Sequence, residues 1–184
     1  MATITTKWTL EDYHHMISTG LLDDKSVELI QGDVVEMAPE GKPHAYFSTK
    51  SDKYLTKLLG DRALVLQAKP ITLPNQSEPQ PDISVVQPLD EEYLEHHPYV
   101  ENIFWLIEYS DTTLKKDLEL KSSTYAEVGI REYWIANLRE RVLMVFRDPE
   151  GDKYMSREDY TSGSLSPLSF PDVQVEVSSI IKKK

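Results

Sequence analysis

The order of strand-like and helix-like stretches in this sequence agrees with an α/β fold without fixing it, and two observations carry that agreement. The first is the segment 103–133, IFWLIEYSDTTLKKDLELKSSTYAEVGIREY. Its opening run Ile103-Phe104-Trp105-Leu106-Ile107 is unbroken and apolar, the pattern of a strand buried on both faces. Ser110-Asp111-Thr112 then supplies helix-capping residue types, and neither Gly nor Pro interrupts the chain until Gly129. The second is that strand-like and helix-like stretches interleave along the rest of the chain. That order agrees with a mixed sheet flanked by helices but does not by itself fix such a fold.

Two residues in this segment sit badly for folding alone. At helical spacing Leu114, Leu118, Lys121, Tyr125 and Val128 form one stripe, while Lys115, Lys116, Glu119, Ser122 and Ser123 form the outer face. Lys121 therefore lies in the middle of the stripe that faces the core. Glu108 follows the apolar run where a buried strand would continue with something apolar. Burying either charge is expensive, which suggests a use beyond folding.

The remaining elements follow in order. Thr9 with Asp12 three residues on resembles a capping box that opens a short helix ending at Gly20. Val27–Ile30 and Val34–Met37, joined through Gln31-Gly32-Asp33, read as a hairpin. A second helix is expected over His44–Leu59, stopped by Gly60, with Phe47, Tyr54, Leu55 and Leu58 inward. Lys50, Lys53 and Lys57 line another face at i, i+3 and i+7. Strands are expected at Ala63–Ala68, Ile71–Leu73 and, after a Pro-rich connector, Pro81–Val86. Residues 88–101 are acidic and irregular, with a helical turn at Glu91–His96. Glu132–Ala136 and Arg141–Phe146 read as strands joined by a polar turn. Asp148–Asp152 reads as a turn and Lys153–Ser156 as a short strand. Val173–Val177 alternates cleanly before a short terminal segment ending in Lys182-Lys183-Lys184.

Composition bounds the function. A chain of 184 residues is expected to form one domain with a substantial core. With no cysteine, disulfides and thiolate zinc sites are excluded. The first 15 residues lack the pattern of a signal peptide and no apolar stretch approaches membrane-spanning length, so a cytoplasmic protein that does not engage a membrane is expected. The net charge of −11 argues against a general polyanion binder but leaves room for a local basic groove.

The chemistry-bearing candidates are acidic. Asp82 begins one strand and Glu108 ends another, and two carboxylates brought together on adjacent strands make a hard oxygen site suited to Mg²⁺. Lys121 could orient a hydrolytic water or steady charge on a phosphoryl group. Spacing alone favours solvated strand-end acids over a metal site, and Lys121 reads equally as a snorkelling stem.

Pro81-Asp82, Glu108-Tyr109-Ser110 and Lys121 together resemble the nuclease superfamily named for its PD-(D/E)XK signature. Ser110 stands where the usual lysine would, and Lys121 matches the branches in which that lysine has moved to the following helix. Glu28–Val35, Pro81–Val86, Glu108–Ser110 and Lys121–Ile135 further resemble a bacterial family of restriction-endonuclease-like proteins of largely unknown substrate, over residues 8 to 180. Asn137 departs from the Asp common after Tyr-Trp-Ile, and Gln80 from the charged residue common before the proline; neither is a core catalytic position.

The resemblance implies a restriction-endonuclease-like mixed sheet flanked by helices in a single nuclease-like domain, residues 1–184. It implies Asp82 and Glu108 as metal ligands, Lys121 as catalytic lysine, Glu28 as an additional acid and Tyr125 lining the same site. The implied activity is Mg²⁺-dependent (Mn²⁺ serving as well) hydrolysis of phosphodiester bonds in nucleic acid, DNA first, by a homodimer. Lys50, Lys53 and Lys57 could touch backbone phosphates, although a solvated face describes them better. His44 reads as a partly exposed capping residue. The alternative function is a non-catalytic, nuclease-like scaffold pairing with itself through exposed strands.

Overall fold

The computed structural model describes residues 6–181. Residues 1–5, part of the stretch read for a leader, and the terminal Lys182–Lys184 lie outside the described residues.

The N-terminal elements form as their local chemistry requires. Helix α1 (Leu10–Ser18) is capped by Thr9, whose hydroxyl accepts from the Asp12 amide while the Asp12 carboxylate accepts from the Thr9 amide. The hairpin of β1 (Val27–Ile30) and β2 (Asp33–Glu36) turns through Gln31 and Gly32, both at positive φ, the geometry of a two-residue hairpin turn. Helix α2 (Lys42–Leu59) starts two residues earlier than expected because Pro43 fits its first turn. Its innermost residues are Ser48, Ser51, Leu55 and Leu59, with Phe47, Tyr54 and Leu58 packed alongside.

The central sheet is built from β3 (Leu64–Gln67), β4 (Ile83–Val86), β5 (Ile103–Ser110), β6 (Glu132–Asn137), β7 (Val142–Glu150) and β8 (Lys153–Tyr160), side by side in that order. All neighbours are antiparallel except β5 and β6, which run parallel and are joined by the helical stretch after β5. The sheet is therefore mixed and the fold α/β. Helices cover both faces. Leu55 and Leu59 of α2 share one core with Ile83, Val85, Trp105, Ile107 and Trp134; Tyr125 shares the other with Leu106, Tyr133 and Ile135. Each such side chain taken fully out of water stabilises the fold by about 1.5–3 kcal/mol.

Several sequence expectations are corrected. Asp148–Glu150, read as part of a turn, continues β7, and only Gly151 and Asp152 turn into β8. Ile71 and Leu73 are buried, but Ile71–Leu73 is not a strand. Prolines bracket it, and its amides donate to the Pro79, Pro98 and Ser77 carbonyls instead of to a sheet. Val173–Val177 buries its valines, yet only β10 (Val175–Glu176) pairs, with the two-residue β9 (Ser164–Leu165), before α5 (Val177–Ile180) begins. The helix after β5 is not continuous: α3 (Leu114–Lys116) passes into a π-turn (Asp117–Lys121) and then α4 (Ser122–Glu127). Its N-cap position is Thr113, because Ser110 remains in β5. No helix of the described residues is long and apolar enough to cross a membrane.

Candidate active site

Alternation along β5 creates the polar centre. Trp105, Ile107 and Tyr109 enter the core shared with α2, so Leu106, Glu108 and Ser110 face the other side, beneath the helical stretch. β5 is central and covered on both faces, so the two polar residues must find partners inside the protein. Glu108 finds Lys121, whose Nζ is 2.7 Å from Oε1, and Tyr125, whose hydroxyl donates to the same oxygen at 3.1 Å. Ser110 donates to Asp117 Oδ2 at 2.6 Å, and Thr113 donates to that oxygen at 2.8 Å.

Two other segments converge there. Asp82 lies one residue before the cross-strand pair Ile83–Ile107, which makes it a neighbour of Glu108 across β4 and β5. The Tyr109 amide fixes it by donating to Oδ2 at 2.6 Å. The hairpin delivers Glu28, fully buried, which accepts from the Gln80 amide and from Lys116 at 2.7 Å and lies 3.4 Å from Lys121 Nζ. Glu28, Asp82, Glu108, Asp117, Lys116 and Lys121 all line a cleft of about 400 Å³.

The electrostatics are set by burial against crowding. Burial pushes the Glu108 carboxyl well above the ordinary glutamate value; Lys121 opposes this only in part, while Asp82, Asp117 and Glu28 add to it. Asp117 is pushed up for the same first reason. Burial opposes the Lys121 ammonium, but Glu108, Glu28, Asp117 and Asp82 outweigh that and hold it more firmly protonated than a free lysine. Burial also works against the Glu28 carboxylate, yet Lys121 and Lys116 prevail and hold it below its usual range.

The π-turn has Asp117 at one end and Lys121 at the other, both buried. Inserted π-turns cost regular hydrogen bonding and recur at functional sites. Asp117 and Lys116 were not singled out from the sequence. Asp117 was detectable there, since it lies three residues after Leu114 and four before Lys121, on the inward stripe. Lys116 gave no such signal, because helical spacing puts it on the outer face.

A second group sits at the start of α2. His44 Nε2 is 2.8 Å from Asp82 Oδ1, and Glu40 joins them: one donor atom from each lies within 4.8 Å of the others, an arrangement able to hold a metal ion. Burial disfavours the His44 cation, but Asp82 outweighs it, helped by Glu40 and Asp117, and raises its pKa. His44 Nε2 is nevertheless shielded from water without a well-aligned hydrogen bond.

Of the residues singled out from the sequence, Asp82, Glu108, Lys121, Glu28 and His44 line the cleft, and Tyr125 reaches it through Glu108. Lys50, Lys53 and Lys57 do not line it. Lys50 donates to the Ser178 carbonyl at 2.8 Å, while Lys53 and Lys57 are exposed.

A family model described as "Uma2: Putative restriction endonuclease" matches residues 10–178. Among solved structures, the chain is similar to the "Crystal structure of a putative nuclease belonging to DUF820 from Anabaena variabilis ATCC 29413". The TM-score is 0.68 at 17% identity, over 94% of this chain and 96% of that one, a likeness of fold. No curated protein matches the chain.

Proposed function

The chain belongs to the Uma2 family, and on that premise we propose that it is a metal-dependent nuclease hydrolysing phosphodiester bonds of nucleic acid, DNA first. The observation that supports this most is the buried Lys121 ammonium held between Glu108 and Glu28 in the cleft that Asp82 also lines. Crowding four carboxylates around one buried lysine leaves negative charge uncompensated, a costly arrangement of the kind that gathers at functional sites.

Asp82 and Glu108 would hold the divalent ion, Mg²⁺ or Mn²⁺. Both carboxylates line the cleft, and among the described residues hydrogen bonds reach only Oε1 of Glu108, which suits this role. When bound, such an ion supplies positive charge against the phosphoryl oxygens and makes a water easier to deprotonate.

The chain's own residues do the positioning. Lys121 stays protonated, so it acts by donating hydrogen bonds, aligning the attacking water or steadying charge that develops on the phosphoryl group, and not as a base. Glu28 keeps the ammonium in place, and Lys116 neutralises Glu28 in turn. Tyr125 orients the Glu108 carboxylate. Asp117 ties the π-turn to Ser110 at the end of β5, fixing Lys121 relative to Glu108. The same reading takes residues 1–184 as one nuclease-like domain, working as a homodimer in the cytoplasm. With a net charge of −11, contact with a nucleic acid must come from a local positive surface.

The test is nicking of supercoiled plasmid in Mg²⁺, Mn²⁺ or EDTA. Nicking is expected only with the ions, and Asp82→Ala, Glu108→Ala and Lys121→Ala should each abolish it. Equal conversion in EDTA, or by Asp82→Ala, overturns the proposal. The internal pairing of Lys116 and Lys121 with Glu28 and Glu108 also suits a static, non-catalytic scaffold. That second reading predicts no nicking under any of these conditions.

A further inference from the structure

We infer that Glu40 and His44 complete the metal centre with Asp82, giving it a mixed imidazole and carboxylate donor set that prefers Mn²⁺-type transition ions to Mg²⁺, an inference that rests on the nuclease reading only for the use made of the ion. Two independent features of the structure lead to it.

The first is spacing. Neighbouring ligands of an octahedral ion with bonds of about 2.1 Å stand about 3.0 Å apart, and opposite ligands about 4.2 Å. His44 Nε2 and Asp82 Oδ1 are 2.8 Å apart, and one ligand atom from each of Glu40, His44 and Asp82 lies within 4.8 Å of the other two. Only a small closure of the exposed Glu40 would bring all three onto one ion.

The second is the state of His44 Nε2. It is screened from solvent and close to a carboxylate oxygen, yet it has no hydrogen bond of good alignment. A buried polar atom whose charged neighbour is poorly aligned for a hydrogen bond gains only part of that bond. Two ligand atoms held at this distance without good hydrogen-bond alignment are placed where a shared cation could take both. Asp82 is held for this from behind, since the Tyr109 amide occupies Oδ2 and leaves Oδ1 toward the histidine.

The donor set decides the ion. Carboxylate and water ligands alone suit Mg²⁺, whereas an imidazole favours transition metals, whose affinities rise from Mn²⁺ onward. A site made of Asp82 and Glu108 only would be hard and indifferent to this difference. One that includes His44 is not.

Mn²⁺ itself is the probe, titrated into the metal-free full-length chain and followed by electron paramagnetic resonance, with pulsed measurements of ¹⁴N coupling. The expected result is one bound Mn²⁺ showing nitrogen coupling, displaced by Mg²⁺ only at large excess. His44→Ala should remove the coupling and, like Glu40→Gln, weaken Mn²⁺ binding roughly ten-fold or more. The wild-type spectrum needs no variant to fold, so the inference is exposed to failure whatever His44→Ala does. Bound Mn²⁺ without nitrogen coupling, coupling that survives His44→Ala, or no Mn²⁺ binding at all each overturns it. If Mn²⁺ binds without nitrogen coupling and plasmid is still nicked, the inference fails and the nuclease reading stands. If the coupling is present but no ion supports nicking, the inference stands and the nuclease reading fails.

Discussion

Lys121 Nζ lies 2.7 Å from Glu108 Oε1, with both side chains almost wholly removed from water. Two buried opposite charges in contact resemble a stabilising ion pair, but three further carboxylates surround them, and the Glu108 carboxyl is pushed up in spite of its lysine.

Glu108→Gln should therefore stabilise the metal-free protein at neutral pH by about 1 kcal/mol. The amide oxygen can still accept from Lys121 and Tyr125, and Lys121 keeps Glu28 at 3.4 Å. The sign follows from linkage. A carboxyl whose folded pKa is raised contributes stability below the unfolded value, near 4.5, and loses it as pH rises through the folded value. The gap between variant and wild type should open from about pH 4.5 upward. Thermal melting in EDTA across pH reads it directly; a variant less stable than wild type at pH 8 refutes it.

Lys121→Met should act in the opposite sense. It leaves Glu108 and Glu28 buried without the ammonium between them, a change expected to cost about 3 kcal/mol in EDTA. A saturating divalent ion should restore part of the loss, because an ion bound only by the folded state shifts unfolding toward it. Denaturant midpoints with and without Mn²⁺ measure both effects. An unchanged midpoint in EDTA would show that Lys121 compensates nothing.

Replacing Lys53 and Lys57 with Ser spares the Lys50 contact to Ser178 and so tests the lysine stripe without disturbing α5. If the stripe holds backbone phosphates, the dependence of log affinity on log salt should flatten by about two units. All sequences should be affected alike. An unaltered slope places the stripe outside the nucleic-acid footprint.

Gly32→Ala tests how the hairpin places Glu28. Gly32 has φ +77°, and a Cβ there would stand 2.9 Å from Lys7 Cβ and 3.0 Å from the Trp8 carbonyl oxygen. The expected loss is about 1–3 kcal/mol, from strain and crowding together. Any nuclease activity should fall with it, since the turn sets the register that carries Glu28. A variant as stable as wild type would mean that the N-terminal segment simply moves aside.

The sequence reached the strands and the central acids more easily than their surroundings. Alternation and apolar runs are local signals, which is why β4, β5 and β6 and the positions of Asp82 and Glu108 were legible. The pairing order was not, because register depends on contacts between segments distant in the chain. Lys121 was legible as a charge on an apolar stripe. Lys116 was not, because it reaches Glu28 only where the hairpin passes over the start of the helical stretch. Ile71–Leu73 misled through its composition, since the pattern of buried apolar residues does not reveal where their amides bond. His44 was seen as a possible cap; its neighbour Asp82 is 38 residues away in the chain (82 − 44), beyond any periodic signal.

The hairpin that carries Glu28 has a consequence for the order of assembly. Its contact with Lys116 spans 88 residues, and neither β1 nor β2 belongs to the central sheet. Closing so long a loop is entropically expensive, and contacts of this kind form after local ones. During synthesis Glu28 emerges early and must wait, without its cationic partners, until the helical stretch has been made. A truncated or half-folded chain therefore has no complete charge cluster, and whatever chemistry the cleft performs is withheld until the two ends of that loop have met.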